Sequence, residues 1–198
     1  FYTLHAIATM CFDSVAYQNV VSNGLVLDKD GNKMSKSKGN VVDPFETLAE
    51  FGADATRWYM IANANPWDNL KFDTSGITEV RNKYFGTLFN TYNFFALYAN
   101  LDGFVMDENN VLPYKNRPEL DRWIISKLYS VVADYSEAMD DYEPTRAARV
   151  LETFVDEHLS NWYVRLARRR FWRGTMNEDK LSAYQTLFEC LMVTSQLS

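Results

Sequence analysis

Apolar residues recur at steps of three and four along most of this chain, which is the spacing of one buried helix face. The first segment of this kind covers residues 1–17. From residue 76 onward the same period predicts long amphipathic helices over residues 76–101, 118–139 and 144–172, and a last helix after Asn177. Long helices with short connectors predict a helical bundle.

The helix predicted over residues 144–172 has the most extended apolar stripe. Its members are Leu151, Phe154, Val155, His158, Leu159, Trp162 and Leu166. We expect these side chains to pack in the core, together with Trp172 near the end of the helix. The two histidines, His5 and His158, both fall within apolar helical patterns, so we assign structural roles to them.

The pattern between the first helix and the bundle is different. Residues 19–27 are rich in valine and leucine and predict a strand, in which Gly24 marks a bend or a close backbone approach. Residues 69–73 predict a second short strand. The fold class is therefore mixed, with a small α/β segment over residues 1–75 followed by an all-α bundle over residues 76–198.

Two short helices precede the second strand. Asp43 is a suitable N-cap and Pro44 a suitable first residue for a helix that runs to residue 51. Gly52 is expected to end that helix in the left-handed conformation, and another helix covers residues 53–62.

A segment of unusual charge lies between the first strand and these helices. Residues 31–40, here called the lysine loop, read Gly-Asn-Lys-Met-Ser-Lys-Ser-Lys-Gly-Asn and follow an Asp-Gly turn signal. Their lysines repel one another and only Met34 is apolar, so we expect a surface loop held by few contacts. Such concentrated positive charge favours an anionic partner, above all phosphate. Composition alone favours the simpler alternative, a solvated surface loop.

Composition and charge change this picture only locally. The chain has 198 residues and a net charge of −6, but residues 161–176 contain five arginines and no acidic residue. A negative average therefore hides a local basic patch.

No apolar run approaches the roughly 18 residues that span a membrane. Cys11 and Cys190 lack metal-ligand spacing, so we expect two buried free thiols and no metal site. We also expect the chain to be an excerpt of a longer protein, since apolar helical patterns reach both ends.

Several tracts carry a family resemblance. Lys33-Met34-Ser35-Lys36-Ser37 matches the KMSKS signature of class I aminoacyl-tRNA synthetases, and the Val-Val-Asp-Pro that follows is also found in their members for branched aliphatic amino acids. The tracts at residues 51–59, 66–73 and 161–172 most resemble the isoleucyl members. The resemblance implies the end of a Rossmann-type catalytic domain with its loop module over residues 1–75, and the start of a helical anticodon-binding domain over residues 76–198. It also implies that the HIGH signature and the editing domain lie outside this chain.

The resemblance also implies a reaction and its residues. Isoleucine and ATP, the latter with Mg²⁺, would form an adenylate, and tRNA(Ile) would accept the acyl group. Lys33 and Lys36 would be catalytic, with Met34, Ser35 and Ser37 completing the phosphate-binding site. The protein would be a cytoplasmic monomer without a membrane partner.

Contacts with tRNA are expected from the basic residues Lys38, Arg165, Arg168 and Arg169. The alternative for the arginines is that they pair with acidic residues of neighbouring helices. Two alternatives to the function as a whole stay open: a non-catalytic helical RNA-binding or interaction module, and a valyl or leucyl synthetase.

Overall fold

The computed structural model describes the backbone of residues 1–198 and every side chain except that of residue 108. The first part of the chain forms helices α1 (Tyr2–Phe12), α2 (Pro44–Phe51) and α3 (Ala53–Asn63), and strands β1 (Val26–Leu27) and β2 (Leu70–Lys71). The bundle consists of α4 (Thr74–Val80), α5 (Gly86–Asp102), α6 (Glu119–Asp140), α7 (Pro144–Thr153), α8 (Arg165–Trp172) and α9 (Glu178–Leu197). The predicted order, a small α/β segment followed by helices, is confirmed. Within the described part of the chain, no helix is long and apolar enough to cross a membrane.

Helix α1 is shorter and more exposed than its apolar pattern predicts. It ends at Phe12 rather than at Tyr17. The next residue, Asp13, turns the backbone into the left-handed region with φ 48°. None of its described residues is buried. The prediction of a buried thiol is therefore wrong for Cys11, which lies on this exposed helix, and right for Cys190.

Strands β1 and β2 pair in parallel and form a small sheet. Strand β1 is much shorter than the predicted strand over residues 19–27. The N–H of Gly24 donates to the carbonyl of Pro66 at 2.8 Å, and a Cβ at residue 24 would lie 2.0 Å from the carbonyl oxygen of Asp68. This contact confirms the close backbone approach predicted at Gly24.

The caps of α2 and α3 are local features that the sequence largely predicts. The Asp43 carboxylate accepts hydrogen bonds from the N–H groups of Phe45 at 2.7 Å and Glu46 at 3.3 Å, which confirms Asp43 as the N-cap. Gly52 has the expected positive φ of 85°, but its ψ is 158°. The left-handed helical conformation predicted there is therefore wrong. The extended ψ instead lets the chain pass directly into α3.

The longest helical run changes its helix type without a break. Helix α7 continues through a π-helical segment, Phe154–Val164, into α8. A π-helix has more residues per turn than an α-helix, so the buried stripe advances in steps of four residues. Its members are Val155, Leu159, Tyr163, Ala167 and Phe171. Trp162, Leu166 and Trp172, which an α-helical period places in the core, are 56%, 53% and 55% exposed. Their predicted burial is wrong because the change of period moves them outward.

Helices α3 and α7 meet at the carboxyl end of α3. The hydroxyl of Thr145 lies 2.7 Å from the carbonyl oxygen of Ile61 and 2.8 Å from that of Ala64, so it can donate to either. The guanidinium of Arg149 donates to the carbonyl of Ala62 at 3.1 Å. The last carbonyls of a helix have no partner within it, and here α7 supplies the donors.

An aromatic contact strengthens the same junction. The ring of Trp58, on α3, stacks on Tyr84, from the π-helical segment Arg81–Phe85 that joins α4 to α5, with 4.4 Å between ring centroids. The indole N–H of Trp58 donates to the carboxylate of Glu152, on α7, at 2.7 Å. Helix α3 is thus packed into the core of the bundle.

A buried ion pair joins α6, α8 and α9. The fully buried carboxylate of Asp121 accepts two hydrogen bonds from the guanidinium of Arg170, at 2.6 and 2.8 Å. The hydroxyls of Tyr163, at 2.9 Å, and Ser182, at 2.5 Å, donate to the same carboxylate. Arg170 also donates to Asp179 at 3.1 Å. Every charge in this network has several partners, which is the condition for burying it without a large penalty.

Replacing Arg170 with alanine should destabilise the bundle, because the Asp121 carboxylate would stay buried without its counter-charge. We expect Arg170→Ala to lower the free energy of unfolding by about 3 kcal/mol. Urea denaturation followed by circular dichroism measures this change. The control is Arg169→Ala, at an exposed neighbour, which should cost less than about 0.5 kcal/mol. Equal losses in the two variants would contradict this role of the ion pair.

Candidate functional site

The lysine loop begins at the end of a strand. Asp28 directly follows β1, and its N–H donates to the carbonyl of Asn32 at 2.9 Å across a tight turn. Gly31 closes the turn by donating to the carbonyl of Asp28 at 2.9 Å. Lys33 then forms an antiparallel bridge with Leu27, as predicted from the Asp-Gly signal. The turn therefore fixes where the first lysine of the signature leaves the sheet.

The three lysines of the loop point their charge towards solvent. Lys36–Lys38 forms one turn of 3₁₀-helix, which ends at Gly39 with φ 68°. Lys33, Lys36 and Lys38 are all exposed. Among the described side chains, no carboxylate forms an ion pair with any of them. The loop thus presents uncompensated positive charge, which suits an anionic ligand.

The remaining members of the signature lie beside these lysines. The hydroxyls of Ser35 and Ser37 are 3.2 Å apart and form a hydrogen bond in which either can donate. Ser35 and Met34 are partly buried, whereas Ser37 is exposed. The structure therefore brings all five predicted phosphate-binding residues, Lys33 to Ser37, together in one short segment.

Asn40 is a member of this site that sequence reasoning missed. Its Oδ1 accepts a hydrogen bond from the N–H of Ser35 at 2.9 Å, and its Nδ2 donates to the carboxylate of Asp28 at 2.8 Å. The expectation that few contacts hold the loop is therefore wrong. The available signal was the loop's closing Gly-Asn pair, since asparagine readily hydrogen-bonds to nearby backbone.

Hydrogen bonds also lower the pKa of the Asp28 carboxylate. The bond from the Asn40 side chain, followed by that from the Asn32 N–H, holds the pKa of Asp28 below its ordinary value. Both donors favour the charged form. An aspartate is ionised at neutral pH in any case, and the lowered pKa keeps Asp28 an ionised acceptor for the loop down to a lower pH than an ordinary aspartate.

The consecutive arginines 168–170 lie in different environments. Arg170 turns inward to Asp121, so ion pairing within the bundle is its role. Arg168 is exposed, and its guanidinium lies 5.7 Å from the centre of the Phe94 ring, on α5. The consecutive arginines thus do not form a single surface.

Arg165 and Arg169 share a face of α8 with Trp172, because residues at positions i, i+4 and i+7 align on a helix. Trp162 lies one turn before Arg165. These four residues, here called the basic stripe, are all exposed. Among the described side chains, no carboxylate pairs with Arg165 or Arg169. The alternative of pairing with neighbouring acidic residues therefore does not describe these two arginines.

No group of three or more histidine, cysteine, aspartate or glutamate side chains among the described residues could hold a metal ion.

Two parts of the chain match models of known protein families. Residues 1–73 match the family model for class I tRNA synthetases for I, L, M and V, and residues 121–197 match the anticodon-binding domain of tRNA ligases. The isoleucine–tRNA ligase of Porphyromonas gingivalis is 62% identical over 197 residues. The chain belongs to the class I aminoacyl-tRNA synthetase family.

Other relatives of this synthetase chain are similar along its whole length. The isoleucine–tRNA ligases of Cytophaga hutchinsonii and Thermus thermophilus are 61% and 46% identical, each over 100% of the chain. The chain spans 17% of the Porphyromonas gingivalis relative, 18% of the Cytophaga hutchinsonii one and 19% of the Thermus thermophilus one.

Solved synthetase structures share the fold. The Agrobacterium radiobacter K84 agnB2 LeuRS, in a ternary complex with tRNA and LeuAMS, superposes with a TM-score of 0.70 at 19% identity, covering 99% of this chain and 24% of its own. Methionyl-tRNA synthetase of Mycobacterium tuberculosis, bound by methionyl-adenylate, gives 0.68 at 20% identity, covering 89% and 34%.

The link between Asn40 and Asp28 can be tested by titration. Asn40→Ala removes the main donor to the charged carboxylate, so the pKa of Asp28 should rise towards its ordinary value. The stability that this carboxylate contributes is present above its unfolded-state pKa and is lost as the pH falls through the lower folded pKa. Carbon-detected NMR titration of the Asp28 carboxyl group measures its pKa in the wild type and in the variant. Ser37→Ala, which leaves these hydrogen bonds intact, should not move the pKa; an unmoved pKa in Asn40→Ala would contradict the assignment.

Proposed function

We propose that this chain is the part of an isoleucine–tRNA ligase that carries its phosphate-binding loop and the start of its anticodon-binding domain. Residues 1–75 would form the end of the catalytic domain and residues 76–198 the helical domain. The observation that carries the proposal is the exposed, unpaired positive charge of Lys33 and Lys36 on a loop held at a strand end. The relatives named isoleucine–tRNA ligase favour isoleucine over valine or leucine as the amino acid.

The proposed reaction places new negative charge where these lysines lie. The isoleucine carboxylate attacks the α-phosphorus of ATP, the bond to the bridging oxygen breaks, and pyrophosphate leaves with additional charge. Groups that meet this charge act in the transition state and so raise the rate rather than the affinity. We assign the closest position on the pyrophosphate oxygens to Lys36 and a supporting one to Lys33. Ser35 and Ser37 donate hydrogen bonds, and Mg²⁺ accompanies ATP.

We further propose that the basic stripe contacts tRNA. Arg165 and Arg169 are oriented alike and unpaired, so they could reach adjacent phosphates, while the exposed rings of Trp162 and Trp172 flank them. Arginine pairs strongly with phosphate oxygens because its planar donors match them. Lys38, next to the signature, is the proposed contact of the loop itself, and Arg168 is the weakest of the proposed contacts because it lies over Phe94.

The remaining proposals concern the whole protein, and the measurements for each are direct. Isoleucine-dependent ATP–pyrophosphate exchange by the full-length protein, with valine and leucine in parallel, tests activity and amino-acid choice. A preference for valine or leucine would overturn the isoleucyl assignment, and no exchange would favour a non-catalytic module. We also propose a cytoplasmic monomer, which fractionation and light scattering can contradict.

Lys36→Ala in the full-length protein should slow adenylate formation by about 100- to 1000-fold, the scale for removing one transition-state donor. Isoleucine affinity should change little, because the lysine acts on the departing phosphates. Rapid-quench measurement of the activation step gives the rate, and equilibrium binding gives the affinity. Lys115→Ala removes the same charge from the connector before α6 and is the control. An unchanged activation rate in Lys36→Ala would remove Lys36 from the mechanism.

The tRNA contacts should appear in the salt dependence of binding. We expect Arg165→Ala and Arg169→Ala each to weaken tRNA(Ile) binding by the full-length protein and to reduce the slope of log K against log salt by about 0.7 to 0.9. Filter binding over a range of salt concentrations measures both. The control is Arg146→Ala, since that side chain is already paired with Glu137 and Glu143. Wild-type slopes in both stripe variants would show that the stripe does not touch RNA phosphates.

A further inference from the structure

One side chain connects two positions of the lysine loop to the end of strand β1. Asn40 Oδ1 accepts from the N–H of Ser35 at 2.9 Å, while its Nδ2 donates to Asp28 Oδ2 at 2.8 Å and to the carbonyl of Lys33 at 3.3 Å. The reversed amide would set an oxygen against a carboxylate and a carbonyl, and an N–H group against another donor. The chemistry of the partners therefore fixes the orientation of this amide.

Asp28 is the fixed end of this arrangement. Its Oδ1 accepts from the backbone N–H groups of Asp30 at 3.1 Å and Asn32 at 2.7 Å, so its Oδ2 faces Asn40. Asp28 also directly follows Leu27, the last residue of β1. The hydrogen bond between the two side chains thus ties the far end of the loop to the sheet.

We propose that Asp28 and Asn40 form a latch that positions the lysine loop for the transition state of adenylate formation. Asn40 is a positioning residue: it acts through the backbone of Ser35 and Lys33 and does not touch phosphate. Its bond to the Ser35 N–H closes the segment that contains Lys36, and its bond to the Lys33 carbonyl holds the other signature lysine. The inference rests on the proposed function, because it concerns the same phosphate site.

The latch needs an amide of this length opposite a carboxylate. Asn40→Ala removes three hydrogen bonds, and Asn40→Asp sets two carboxylates against each other. The reciprocal exchange, Asp28→Asn with Asn40→Asp, restores a donor facing an acceptor. In that double variant the amide oxygen at position 28 still accepts from the turn, and the carboxylate at position 40 still accepts from the Ser35 N–H. The bond to the Lys33 carbonyl and the 3.5 Å contact from the Asn32 side chain to position 28 are lost.

The test compares these variants in the full-length protein. Asn40→Ala and Asn40→Asp should each lower kcat of isoleucine-dependent ATP–pyrophosphate exchange by about 10- to 100-fold, the scale of a small misplacement of catalytic groups. The KM for isoleucine should stay within about twofold, because transition-state interactions and not amino-acid binding are lost. The double exchange should return kcat to within about fivefold of the wild type. Asn32→Ala is the matched control in the same turn, since its side chain makes only a 3.5 Å contact with Asp28.

Hydrogen–deuterium exchange gives a readout that does not depend on activity. The Ser35 amide should exchange faster in Asn40→Ala and Asn40→Asp and return towards the wild-type rate in the double exchange. Wild-type kcat and wild-type amide exchange in both single variants would overturn the latch, as would a double exchange no better than Asn40→Asp. Absence of exchange activity in the wild-type protein would instead overturn the proposed function on which the latch rests.

Discussion

The contact between α3 and α7 joins the α/β segment to the bundle, and it depends on the carboxyl end of α3. A helix cannot satisfy its own last carbonyls, and burying them without partners costs on the order of 1 to 3 kcal/mol for each group. Thr145 and Arg149, one helical turn apart on α7, supply the donors. This requirement fixes the distance and angle between the two helices. Helix α2, which follows the lysine loop, packs on α3, so this contact also links α2 to the bundle.

Among the described side chains, buried charges are paired and join helices, whereas the exposed charges of the lysine loop and the basic stripe are unpaired. Asp121 and Arg170 are buried together and each has several partners, so their charges hold helices to one another. The lysines of the loop and the arginines of the basic stripe stay in solvent. An exposed ion pair would add little stability, so leaving these cations unpaired costs the fold almost nothing. The absence of a paired carboxylate keeps the full positive charge of these side chains available for an anion.

Local signals predicted local structure well. Asp43 and Asn177 each cap the helix that the sequence assigns to them. A cap is a local feature because its side chain accepts a hydrogen bond from a backbone N–H only two or three residues further along the chain. The loop itself was also predictable, since its residues are contiguous. Burial in the longest helix was not, because the π-helical segment shifts the period and no local signal announces it. Nor could the sequence reveal that α1 is uncovered, since an apolar pattern specifies a face and not its partner.

The loop shows why a partly predictable site still depends on tertiary contacts. The sequence identifies the lysines, but it does not show that the Asn40 side chain donates a hydrogen bond to a carboxylate twelve residues before it. Three mutually repelling ammonium groups would spread apart on a free loop, and an anionic ligand would then have to bear the entropic cost of gathering them. The hydrogen bonds of Asn40, Asp28 and the two serines hold the base of the loop, and among the described side chains no ion pair holds the ammonium groups. A rigid base with free charged ends is what catalysis by charge stabilisation requires, because the charges must be near the phosphates before the reaction and adjust only slightly during it.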